Sequence, residues 1–105
     1  MNEAEINILV VIAKLKFEQA IIDSLSENDA RFFNVAYAKG LSRSDTNLQS
    51  ALGLNSEKHE VVITSIINKQ KSDDMLKILE EKFEFDKPSN GIAFTLPVGC
   101  VKYKD

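Results

Sequence analysis

One histidine, one cysteine and no tryptophan leave little from which a catalytic centre could be assembled. A zinc site needs about four ligands, and His59 with Cys100 supplies only part of that within one chain. A single cysteine excludes an intrachain disulfide, and a nucleophilic Cys100–His59 pair would lack a group to orient it. Cys100 therefore reads as a free, partly buried thiol. His59, between Lys58 and Glu60, reads as an exposed residue at the end of a loop. Glu80, Glu81 and Glu84 fall on the polar side of a helical stretch, as a solvated face rather than an acid–base pair. Neither a Walker-type loop nor a dinucleotide fingerprint occurs. An enzyme is not expected, and these residues assign no cofactor.

Charge of one sign is lacking too. Thirteen basic against sixteen acidic residues leave a formal charge of −3, and no Lys/Arg cluster overrides it, which argues against general nucleic-acid binding. The N-terminus carries no basic region, and its apolar run, Ile8 to Ala13, is too short for a signal or a membrane span. These features predict a cytoplasmic protein without direct membrane insertion. At 105 residues the expectation is a single domain over 1–105 with one core.

What the chain does have is β-branched runs alternating with helical stripes. Residues 6–13, almost continuously apolar, predict a strand covered on both faces. Phe17, Ala20, Ile21 and Leu25 recur at helix spacing, with Asn28 the expected left-handed cap. Ala30 to Lys39 predicts a second strand with Phe33, Val35 and Tyr37 on one face, closed by Gly40. Leu41 to His59 is polar and serine-rich, long for a connection inside a compact domain, with room for a helical turn between Asp45 and Leu52. Glu60 to Ile67 predicts a third strand. Ser72 with Asp73 and Asp74 suggests a helix start, and Met75, Leu76, Leu79 and Phe83 form its buried stripe with Ile78 at the edge.

The last element follows a turn at Pro88-Ser89-Asn90-Gly91, where Asn90 and Gly91 tolerate left-handed angles and free N–H groups could meet an anion. Ile92, Phe94 and Leu96 alternate with Ala93 and Thr95, and Pro97 ends the strand or marks it as an edge. The order strand, helix, strand, strand, helix, strand gives an α+β class, the ferredoxin-like βαββαβ sandwich: a four-stranded antiparallel sheet with two helices on one face. Residues 8–12 and 61–67 are apolar on both faces, so the uncovered face is expected to pack against another copy of the chain.

Three segments together resemble the nitrogen regulatory P-II superfamily, in its P-II-like branch. They are Ala38-Lys39-Gly40; Leu52-Gly53-Leu54 followed by Glu57-Lys58-His59-Glu60-Val61-Val62-Ile63; and Asn90-Gly91-Ile92-Ala93-Phe94-Thr95-Leu96-Pro97-Val98. The last is the most specific, and the order of the three spans nearly the whole chain. The resemblance implies a signalling homotrimer that binds small molecules, typically adenine nucleotides, in clefts between subunits. It implies that 41–59 corresponds to the family's T-loop, whose ligand-dependent ordering governs a transporter or an enzyme. It also implies that Lys87-Pro88-Ser89-Asn90-Gly91 approaches the phosphates, with Lys39, Lys87 and Lys102 supplying charge and Gly40 and Gly91 allowing close backbone approach.

The chain departs from the family pattern in places. Residues 41–59 hold no tyrosine, so uridylylation is not implied. Lys87–Gly91 lacks a fuller glycine-rich, lysine-bearing loop, and the C-terminal arginine pair of relatives is absent, with only Lys102 and Lys104 nearby. Fold and trimer are thus implied more fully than ATP binding. Two other readings stand beside the sensor: a structural or adaptor trimer without a small ligand, and a metal-responsive trimer like the CutA relatives, using Cys100 or His59.

Overall fold

The two β-branched runs become the inner strands of the sheet. The computed structural model describes residues 6–40, 58–87 and 90–99. In chain order these form β1 (Ile6–Lys14), a 3-10 turn (Leu15–Phe17), α1 (Glu18–Glu27), β2 (Arg31–Gly40), β3 (Lys58–Asn68), α2 (Lys69–Lys82) and β4 (Gly91–Val98). The strands pair antiparallel in the order β2-β3-β1-β4. This is the expected ferredoxin-like βαββαβ sandwich. β4 lies at an edge, which is where a strand tolerates Pro97.

Strand alternation sorts the residues onto two faces. Leu9, Val11 and Ala13 of β1 stand opposite Ser65, Ile63 and Val61 of β3. All six are buried under the helices. Ile21 and Leu25 from α1 and Met75, Leu79 and Phe83 from α2 or its exit complete the core. Each fully buried aliphatic side chain there is worth about 1.5–3 kcal/mol relative to exposure. The Phe17 and Phe83 rings meet edge to face, centroids 5.6 Å apart, joining the start of α1 to the end of α2.

The other face carries the intervening residues: Ile8, Val10 and Ile12, then Val62, Thr64 and Ile66, then Ile92, Phe94 and Leu96. No helix among the described residues covers it. The β4 row is the most open, with Ile92 63% exposed.

Several local expectations are corrected. The left-handed residue closing α1 is Asp29 (φ 62), one position beyond Asn28 (φ −102). The Ala30 N–H reaches the Leu25 carbonyl (3.0 Å) and the Asp29 N–H the Ser26 carbonyl (3.2 Å), the paired bonds of a Schellman ending. α2 starts at Lys69, not near Ser72, because the Asn68 side chain caps it by accepting from the Gln70 N–H (2.8 Å). Ser72 is instead buried within the helix. Its hydroxyl accepts from Asn7 Nδ2 (3.0 Å) and donates to the Lys69 carbonyl (2.7 Å). In β2 a bulge between Arg31 and Asn34, with Phe32 at φ 57, interrupts the pairing just ahead of Val35 and Tyr37, which share one face. β3 begins at Lys58, so His59 is a strand residue rather than the end of the long connection. The helical turn expected between Asp45 and Leu52 lies outside the described residues.

Candidate functional site

Antiparallel pairing brings the end of β1, the end of β2 and the starts of β3 and β4 to one end of the sheet. The rungs there read Gly40–Lys58, Lys39–His59, Ala38–Glu60–Lys14 and Ala13–Gly91. Every described residue of the expected site sits at this end. Within one chain they form two groups, because β2 and β4 are opposite edges of the sheet. Three interstrand spacings, roughly 14 Å, separate the Lys39–Gly40 edge from the Gly91 edge. Ser89 and Lys102 lie outside the described residues.

The β4 group is built on the exit of α2. Glu84 takes a left-handed φ of 57, which turns the chain away from the helix. The Phe85 N–H reaches back to the Leu79 carbonyl (3.1 Å), and the Lys87 N–H bonds the Glu84 carbonyl (3.0 Å). Asn90 closes the turn. Its Nδ2 donates to the same Glu84 carbonyl (3.0 Å), and its Oδ1 accepts from Lys14 Nζ (3.2 Å). Lys14 is therefore a further cation at this end of the sheet, one that sequence reasoning missed. Its only sequence signal is a charge terminating an apolar strand.

Two features limit what the group offers an anion. Lys87 Nζ already bonds Glu84 Oε1 at 2.8 Å. That hydrogen bond and the charge behind it hold the Glu84 carboxyl below its ordinary range and raise the Lys87 ammonium. Gly91 is short of space as well. A Cβ built there would stand 2.7 Å from Cε1 and Cε2 of Phe85, so the close neighbour that requires glycine is an aromatic ring of the same chain.

The β2 group faces the helix side of the sheet. Lys39 and His59 are directly opposite each other, two rungs beyond the Tyr37–Val61 pair. The Tyr37 hydroxyl donates to Glu18 Oε1 at the start of α1. That bond, added to desolvation and the carboxylate charge, raises the Tyr37 pKa. Among the described residues no three His, Cys, Asp or Glu side chains converge as a metal site would require.

Neither a family model nor a curated protein matches the chain. Solved structures do. A DUF3240 family protein from Shewanella baltica OS155 superposes with a TM-score of 0.69 at 15% identity, over 100% of both chains. CPII from Thiomonas intermedia K12, bound to ADP, AMP and acetate, gives 0.63 at 12% identity, over 86% of this chain and 82% of that one. Arabidopsis thaliana PII bound to citrate gives 0.63 at 15%, over 90% of this chain and 78% of that one. The resemblance carried by the three sequence segments extends to three dimensions: the chain has the fold of the PII-like signalling proteins.

Proposed function

We propose that this chain is a non-enzymatic P-II-like regulatory protein that binds a small anionic effector between subunits and governs a partner through the segment beginning at residue 41. One observation carries the reading: the two groups of expected site residues lie on opposite edges of one sheet. A site that uses both Lys39 and Lys87 is complete only across a boundary between copies. The uncovered apolar face of Ile92, Phe94 and Leu96 gives those copies a reason to associate. The number of copies by analogy is three, and the effector by analogy is an adenine nucleotide, as in the CPII complex with ADP and AMP. The partner would be a transporter or an enzyme.

The test combines solution mass with thermal unfolding against AMP, ADP and ATP. An effector at about 100 times its dissociation constant raises stability by roughly 2.7 kcal/mol. Lys87→Ala should abolish that gain and leave the oligomer mass unchanged. Persistent binding in the variant would remove Lys87 from the site.

The Lys87–Glu84 pair and the Phe85 ring over Gly91 favour a second reading, an adaptor with no small ligand. A flat nucleotide panel with an intact oligomer is the result that reading expects.

A further inference from the structure

We infer that Lys14 is a positioning residue: its ammonium, acting through Asn90, fixes the turn that presents Lys87 to the effector. The role in binding rests on the site between subunits proposed above, while the bonds that carry it lie within one chain. Lys14 ends β1, an inner strand held on one side by β3 and on the other by β4. Lys14 and Asn90 are the next residues along their chains from the Ala13–Gly91 pair. Lys14 Nζ donates to Asn90 Oδ1 (3.2 Å), and Asn90 Nδ2 donates to the Glu84 carbonyl (3.0 Å). That same carbonyl accepts the Lys87 N–H (3.0 Å), and Glu84 Oε1 accepts from Lys87 Nζ (2.8 Å). Lys87 is thus held at both ends by Glu84, Glu84 by Asn90, and Asn90 by the end of an inner strand.

The residue types suit the relay. An ammonium only donates and a carbonyl only accepts, so the group between them needs one acceptor and one donor, which an asparagine amide has. Aspartate at position 90 would keep the bond to Lys14 and set a carboxylate oxygen against the Glu84 carbonyl. Glu84 has a left-handed φ of 57, a conformation that a residue other than glycine keeps only where its surroundings impose it. The Asn90 bond to the Glu84 carbonyl is one such constraint. Glu60 pairs with Lys14 in the register of β1 and β3, yet the ammonium bonds Asn90, on the side of the turn. A group on a turn is placed more exactly when a rigid strand supports it, and here β1 supplies that support.

ADP binding is measured for the parent chain, Lys14→Met, Lys14→Arg, Asn90→Ala and the double variant of Lys14→Met with Asn90→Ala, with solution mass checking the oligomer in each. Lys14→Met should weaken ADP about fivefold to tenfold, the scale of one charge-assisted hydrogen bond, and Lys14→Arg should restore it. The double variant should bind no more weakly than Asn90→Ala alone, because both changes cut one relay. A second readout needs no ligand. Amide exchange of the Lys87 N–H should speed up in Lys14→Met and return to the parent rate in Lys14→Arg. Losses that add would show Lys14 meeting ADP directly, and an unchanged Lys87 exchange would show no relay; either overturns the assignment. A parent chain that binds no ADP removes the effector site and with it the role in binding, whereas the Lys87 exchange still decides whether Lys14 fixes the turn.

Discussion

The Phe85 ring fills the space that a side chain at position 91 would occupy. Gly91 thus lets the exit of α2 close over the first residue of β4, and the aromatic ring joins the edge of the core. Gly91→Ala should force the ring aside and cost about 1–3 kcal/mol, the usual scale of overpacking. Urea unfolding should show a lower midpoint with an unchanged slope. Phe85→Ala in the same background should recover part of the loss, since the clash would be gone.

Asp29 occupies the left-handed position that glycine normally fills at a helix end. Asp29→Gly should stabilise the chain by about 0.5–1 kcal/mol, the relief of backbone strain less the extra entropy of an unfolded glycine. The melting temperature should rise by a few degrees. A fall would show that the Asp29 side chain contributes more than its backbone angle costs.

Two buried serines should respond in opposite directions. Ser65 Oγ has no hydrogen-bond partner, whereas the Ser72 hydroxyl links Asn7 to the Lys69 carbonyl. Ser65→Ala should be neutral or stabilising by up to about 1 kcal/mol, and Ser72→Ala destabilising by about 1–3 kcal/mol through the orphaned Asn7 amide. Equilibrium unfolding of the two variants side by side is the check.

Lys87 holds the folded-state pKa of Glu84 below its ordinary value. That contribution is fully present above the unfolded carboxyl range and is lost as pH falls through the lower folded value. The gap in stability between the parent chain and Glu84→Gln should therefore be constant near neutrality and close on acidification. Both partners are exposed, so the gap is small and should shrink further in high salt. A gap that widens towards acid would contradict the pairing.

The sheet was legible because β-branched runs of eight residues have few alternatives, and the stripe of Met75, Leu79 and Phe83 located α2 equally well. Local boundaries were harder. Asn68 caps α2 directly after the strand, with no intervening turn residues to announce it, so the acidic pair beyond Ser72 looked like the start. Asn28 is the better left-handed residue by type, yet the hydrogen bonds of the helix exit fall one residue later. The contacts around the site were not legible at all. Nothing local links Lys14 to Asn90, 76 positions away, and only the antiparallel register brings them together. The same holds for Lys39 and His59, whose pairing depends on where the long connection ends.

The period-two alternation of β1 has a consequence for how substitutions divide. Leu9, Val11 and Ala13 face the helices, while Ile8, Val10 and Ile12 face the side that no helix among the described residues covers. A change at the first set alters the melting of each copy whatever the dilution. If copies associate through that face as proposed, a change at the second alters how steeply melting depends on protein concentration. Neighbouring positions in one strand thus belong to different thermodynamic problems, and a dilution series tells them apart.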